Sequence, residues 1–214
     1  MFNLPKSTEF NKRIPKQKFY DRAKISPAIK KIFSEQVRVI YWKNKIAATT
    51  LNLAAGNFVT EIEIFEIQLQ TKNFDENILR LIDKAIPYHI IFVLRHENFY
   101  KICAAYKDDK SAVKIYFSTD WQEEKNLSLN LQGLTLDEVY ENFLRQIGGE
   151  FLQEKISVPL KDIIERNEQI KKLEKKISVL QKKVFAEKQF NRQIELNDEL
   201  KRLKKEMKFL KNGN

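Results

Sequence analysis

Glu61, Glu63 and Glu66 are the side chains of this sequence whose type and spacing best suit chemistry. They lie on one predicted strand followed by a helix. Glu66-Ile67-Gln68 stands where metal-dependent nucleases of the restriction-endonuclease type carry Glu-x-Lys. Carboxylates clustered in this way hold a divalent cation against a phosphodiester. The lysine is missing, however, and no clear Asp marks the preceding strand. Glutamates that alternate with isoleucines also suit the solvated face of an amphipathic strand. The three glutamates are therefore candidates only. The remaining reactive types offer less. His89 and His96 are the only histidines, and neither has a Cys or second His at ligand spacing, so no zinc site is read. Cys103, in Ile102-Cys103-Ala104-Ala105, sits mid-strand as a buried, inert thiol. Ala55-Gly56-Asn57 reads as a plain turn, and no Gly-rich phosphate loop or Walker motif occurs. No cofactor is expected, and the chain reads as a non-enzyme.

Charge points more clearly to a partner. The 214 residues carry 39 Lys+Arg against 29 Asp+Glu, a formal net charge of +10. It is unevenly divided: +7 over residues 1–31, −4 over 32–160 and +7 over 161–214. Basic ends around an acidic middle suit an anionic partner, above all nucleic acid, because Lys and Arg release condensed counterions from phosphates. The candidate contacts are Lys6, Lys12, Arg13, Lys16 and Lys18 in the first segment. In the last they are Lys171, Lys172, Lys175, Lys176, Lys204 and Lys205. An acidic protein partner would leave the same pattern. With 43% hydrophobic residues the chain can bury a core, and a single Cys excludes an internal disulfide. No stretch approaches the ~18 apolar residues of a membrane span, and the polar N-terminus has no apolar signal region, so a cytoplasmic protein with no membrane partner is expected.

Three segments would position these groups. Residues 1–25 form a basic N-terminal arm, broken by Pro5 and Pro15, with a short helix starting at Ser7 or Thr8 and running through Arg13. Its Phe10, Phe19 and Tyr20 either pack on the core or stack on bases. Residues 26–155 form an α+β domain. Ser26 caps a helix with Pro27 in its first turn, and strands follow at 38–43, 49–53 and 59–69. The apolar parity of the last changes between Ile64 and Phe65, which predicts a bulge or a strand covered on both faces. Asp75 caps a helix through Ile86, stopped by Pro87, and three antiparallel strands follow at 88–94, 100–106 and 113–117. Thr135-Leu136-Asp137-Glu138 is a capping box for a helix closed by Gly148-Gly149. A mainly antiparallel sheet with helices packed on one side results, and Trp121 is either core or an interface anchor.

Residues 156–214 carry Ile163, Ile170, Ile177 and Val184 every seven residues, with Leu173 and Leu180 between them. Leu196, Leu200, Leu203, Met207 and Leu210 form a second run offset by two residues. That slip predicts an antiparallel coiled-coil hairpin with its tip within 185–192, rather than one continuous helix. Pairing within the chain or in a homo-oligomer is required, because helices this short seldom persist alone.

Taken as a set, Leu4-Pro5-Lys6-Ser7-Thr8-Glu9, Ile14-Pro15-Lys16, Ile86-Pro87, Thr119-Asp120-Trp121, Gly133 to Asn142, Gln146 to Gly149 and Glu187-Lys188-Gln189 resemble the bacterial and archaeal family called domain of unknown function 4391. The resemblance covers nearly the whole chain and implies a setting rather than a reaction. Members are typically encoded beside a helicase and a DNA methyltransferase, in restriction-like or phage-defence clusters. Together, charge and resemblance lead to the expectation of a non-enzymatic accessory subunit of a DNA restriction-modification or phage-defence system. It would bind nucleic acid, DNA rather than RNA, or the helicase and methyltransferase subunits, or both. Two alternatives stand beside it: a divergent metal-dependent nuclease, and a protein adaptor that oligomerises through its coiled coil.

Overall fold

The segment Glu61–Leu69 has apolar residues at both parities, so neither of its faces can be left to water. The computed structural model describes residues 2, 4–22, 26–107, 112–149, 152 and 158–212, and sets this segment inside a mixed sheet. In chain order the strands are β1 (Glu9–Ile14), β2 (Val37–Ala47), β3 (Glu61–Leu69), β4 (His89–His96), β5 (Phe99–Lys107), β6 (Val113–Ser118) and β7 (Gln122–Glu123). Among the described residues the sheet runs β1-β2-β3-β4-β5-β6, with β7 beside the start of β5. β3 and β4 are parallel, in an unbroken register from Ile62↔His89 to Gln68↔Arg95. The other pairings are antiparallel. A parallel pair needs a crossover, and helix α3 (Asn77–Ala85) provides it. The Asp75 carboxylate accepts the Asn77 N–H at 2.9 Å to start that helix.

The parity change in β3 is the signature of a strand covered on both faces, with no bulge of its own; the irregularities lie in β2, between Val37 and Val39 and between Trp42 and Asn44. One face buries Phe65, Ile67 and Leu69 with Val37 and Ile40 of β2 and Ile90, Phe92 and Leu94 of β4. Phe19 of helix α1 (Gln17–Arg22), Phe33 of helix α2 (Pro27–Gln36) and Ile78, Leu79 and Ile82 of α3 cover it. The other face presents Ile62 and Ile64 beneath helix α4 (Leu136–Gly148), whose Leu136, Val139, Phe143 and Ile147 are buried. Helices therefore cover both faces, where one had been expected, because β3 and β4 are apolar at both parities.

The local signals are met by specific bonds. Ser26 Oγ accepts the Ile29 N–H at 3.4 Å, with Pro27 at the first helical position of α2. Thr135 Oγ1 accepts the Glu138 N–H at 3.3 Å. The Glu138 carboxylate answers one residue earlier than a standard capping box, on the Leu134 N–H at 2.8 Å. Gly149 ends α4 at φ 61°, a conformation that favours glycine. The turn at Gly56 proves to be anchored: Asp137 accepts the N–H groups of Asn57, Phe58 and Val59 at 2.7, 3.1 and 2.7 Å. A Cβ at Gly56 would lie 2.2 Å from that carboxylate, so only glycine fits.

Two sequence expectations are corrected. Residues 49–53 form turns, not a strand, because Thr50 Oγ1 bonds the carbonyls of Lys45 and Ala47 and folds the chain back at the end of β2. Residues 9–14 form strand β1 on the edge of the sheet rather than a helix through Arg13, since they find free backbone partners along β2. The first compact unit, Met1–Glu154, accordingly includes the basic N-terminal segment.

The second unit, Lys155–Asn214, contains helices α5 (Leu160–Ala186) and α6 (Phe190–Asn212). Ile177, Leu180 and Leu200 are buried together, with Val184, Leu196, Leu203 and Met207 against them. Lys211 pairs with Glu174 at 2.9 Å, and Gln193 donates to the Val184 carbonyl at 3.3 Å, so the helices are antiparallel. The tip, Glu187-Lys188-Gln189, turns without Gly or Pro. Glu187 Oε1 accepts the N–H groups of Lys188 and Gln189, both at 2.9 Å, and takes the place of a turn residue. Among the described residues no helix is long and apolar enough to cross a membrane.

Phe92 is fully buried at the centre of the larger core. Phe92→Ala is expected to lower unfolding free energy by about 3–5 kcal/mol, read from urea denaturation. Leu134→Ala, at a position 81% exposed, is expected to change it by less than about 0.5 kcal/mol. Equal effects would show that the two-sided core is not what holds the sheet.

Candidate functional site

The β2–β3 hairpin sets Lys45 opposite Glu63 and Ala47 opposite Glu61. Glu61, Glu63 and Phe65 share one face of β3, because side chains alternate along a strand. Lys45 Nζ lies 2.6 Å from Glu61 Oε2 at the rim, where the side chains are 23% and 13% exposed. Glu63 lies deeper, 2% exposed, and its Oε2 is buried with no hydrogen-bond partner. These three side chains line a cavity of about 370 Å³. Its walls are Ile14 of β1, Lys18 and Phe19 of α1, Trp42 of β2 and the α3–β4 connection from Ala85 to Tyr88.

The electrostatics follow from crowding. Burial, and then the adjacent Glu61, push the Glu63 carboxyl up to about 9, although Lys45 pulls the other way. Burial also works against an ionised Glu61, but its hydrogen bonds with Glu63 and Lys45 outweigh that and hold it below the usual carboxylate value. The hydrogen bond from Glu61 in turn raises Lys45. The resting site is thus a protonated Glu63 behind a Lys45–Glu61 ion pair. Two carboxylates with a lysine, walled by Phe19, Trp42 and Phe65, can hold a hard cation or transfer a proton.

The structure thus unites Glu61, Glu63 and Lys18 and separates Glu66 from them. Glu66 is also buried, but on the opposite face of the sheet, where Arg95 lies 3.7 Å away and Gln68 donates to it at 2.9 Å. Glu66 therefore lines a different cavity from Glu61 and Glu63. The solvated-face reading fails, because α1, α2 and α3 cover the face that holds Glu63. Lys45 was missed from the sequence. Its one signal, a basic residue on the strand preceding the glutamates, is common, and only the cross-strand register gives it meaning.

The N-terminal basic residues divide by role. Lys6, Lys12, Arg13 and Lys18 are exposed, with Lys12 Nζ 4.9 Å from the Phe10 ring. Lys16 instead donates to the carbonyls of Ser34 and Val37 at the end of α2, a structural tie. The aromatics pack: Phe10 stacks on Trp42 at 4.2 Å, Tyr20 meets Phe33 edge-on at 5.5 Å and Phe19 is buried. Trp121 also packs against the larger core. In the hairpin, Lys171, Lys172, Lys175, Lys176, Lys204 and Lys205 are all exposed.

The remaining reactive side chains are structural. Burial pushes the Cys103 thiol up to about 12, as expected of an inert thiol. His89 packs edge-on against Tyr140 at 4.6 Å, and His96 lies at the other end of β4. Among the described residues no three His, Cys, Asp or Glu side chains converge to hold a metal ion. Asp83 and Lys107 form a buried ion pair at 3.1 Å, closed by Lys107 donating to the Tyr88 carbonyl at 2.8 Å and by the Tyr116 hydroxyl on Asp83.

The family model described as domain of unknown function (DUF4391) matches residues 2–207, and the chain belongs to that family. No curated protein and no solved structure matches it.

Burial, and then Lys107, lower His89 to about 4, against a pull from Asp137 in the other direction. A histidine depressed when folded is protonated preferentially in the unfolded chain. Its stabilisation is therefore present above its ordinary value of about 6.5 and lost as pH falls from there towards 4. Acid titration of stability is expected to lose up to about 3 kcal/mol from this group. The loss should be absent in His89→Gln, which unfolding curves across that range will decide.

Proposed function

We propose that the chain is an accessory subunit that binds nucleic acid, DNA rather than RNA, in a DNA restriction-modification or phage-defence system. The observation that carries this reading is the outward row of lysines on the hairpin. Ile177, Leu180 and Leu200, with Val184, Leu196, Leu203 and Met207, pack on one another in its seam, while Lys171 and Lys175, and Lys172 and Lys176, stand one helical turn apart on exposed surface. Helix α5 has 27 residues, and at ~1.5 Å per residue it is about 40 Å long. That is the length of roughly 12 base pairs at ~3.4 Å each. Lys204 and Lys205 add charge from the second helix, and Lys6, Lys12, Arg13 and Lys18 are exposed on the first unit. The family's resemblance-derived setting beside helicase and DNA methyltransferase genes supports those two subunits as protein partners.

A second reading, a divergent metal-dependent nuclease, is favoured by one observation: Glu61, Glu63 and Lys45 line the same cavity. The composition is that of the nuclease site, two carboxylates and a lysine, with the lysine on the neighbouring strand.

Fluorescence anisotropy with duplex DNA over a salt series tests the first reading. Each phosphate contact contributes about 0.9 to the slope of log affinity against log salt. Changing Lys171, Lys172, Lys175, Lys176, Lys204 and Lys205 to Gln is expected to lower that slope and weaken binding for all sequences alike. Binding that ignores both salt and these substitutions would sink the phosphate reading. Absence of binding at low salt would move the weight to the adaptor.

A further inference from the structure

We infer that Glu61 and Glu63 form a binding site for one divalent cation of the Mg²⁺/Mn²⁺ class. The inference goes beyond the nucleic-acid reading and bears on the nuclease reading, but it needs neither DNA binding nor cleavage to hold.

The starting point is an unmet group. Glu63 Oε2 is buried without a partner, in a side chain that is 2% exposed and lines the cavity. An orphaned buried acceptor costs about 1–3 kcal/mol, and native structures seldom leave one without a reason. The second observation is the neighbour. Glu61 stands two residues away on the same face, and its carboxylate is already committed to Lys45 at 2.6 Å. One lysine offsets one carboxylate, so the second positive partner, a proton on Glu63 in the resting chain, is the one a cation would replace.

Several cations would supply that charge, and the donors select among them. Only carboxylate oxygens converge, which suits hard cations and disfavours zinc or copper. Magnesium is held by one or two carboxylates and keeps several waters, the number of protein ligands this site supplies, whereas calcium takes 6–8 oxygen ligands and favours richer carboxylate and carbonyl sets. A cavity of about 370 Å³ accommodates an ion with its waters, at about 30 Å³ for each water. Lys18 and Lys45 on the same walls then face any phosphate that the cation draws in.

Mn²⁺ binding to the full chain, followed by electron paramagnetic resonance of the free ion, is the direct test. One saturable site per chain is expected, displaced by Mg²⁺, with quenching of Trp42 fluorescence because Trp42 lines the cavity. Glu63→Gln and Glu61→Gln should each weaken binding by more than about tenfold. Glu66→Gln, on the other face of the sheet, should leave it unchanged. Glu61 lies at the rim, so its variant decides the matter if Glu63→Gln does not fold. No saturable site at millimolar Mn²⁺, or a site that persists in the glutamine variants, overturns the inference and leaves a proton shared by the two carboxylates. The measurement contains no nucleic acid, so failure of metal binding is distinct from failure of DNA binding or cleavage.

Discussion

The first unit depends on β3 having no wettable face. Ile62 and Ile64 point one way and Phe65, Ile67 and Leu69 the other, so both sides of the sheet must be covered at once. Burying an aliphatic or aromatic side chain contributes about 1.5–3 kcal/mol, and the five on this strand reward that arrangement together. The parallel pairing with β4 follows from it. A parallel strand has to return over the sheet, and the returning helix α3 is the cover that one face requires. On the other face α4 does the same work, pinned at its start by Asp137 to the turn around Gly56.

That constraint makes the glutamates of β3 unusual. On a sheet with one open face, Glu61 and Glu63 would project into water and carry no tension. Here the same positions lie beneath α1 and the α3–β4 connection, where burial and mutual repulsion oppose two charges. Lys45 relieves Glu61, and Glu63 is left to hold a proton or another cation. In the buried Asp83–Lys107 pair Asp83 Oδ1 also lacks a hydrogen bond, but Lys107 lies 3.1 Å from it, and Tyr116 and the Tyr88 carbonyl complete the bonding. The contrast separates a charge-matched pair from a carboxylate whose nearest lysine is committed to its neighbour.

The second unit is held by different physics. Ile177, Leu180 and Leu200 form its buried seam, and its stability rests on pairing α5 with α6 rather than on a layered core. Because that seam is narrow, most of each helix surface stays in water and is free to carry charge. The exposed lysines of both helices are a product of that narrow seam.

Sequence alone determined the features that depend on neighbours a few residues apart. The capping residues Ser26 and Thr135, the stop at Gly149 and the seven-residue spacing that brings Ile177 and Val184 to the hairpin seam are local, and each is found in place. Even the hairpin tip was legible, because a register slip is a property of the chain itself. Tertiary structure decided what depends on partners far away. The backbone of residues 9–14 has no helix signal strong enough to resist a free strand edge, and β2 captures it. The parity change at Phe65 admitted a bulge or a doubly covered strand, and the choice needed helices from both sides. The division of the glutamates into Glu61 and Glu63 on one face and Glu66 on the other follows from alternation. Their burial, and the meeting with Lys45 and Lys18, come from the register of β2 on β3 and the placement of α1. Charge and periodicity are summed along a chain, whereas a site is made by residues that only the packed sheet brings within reach.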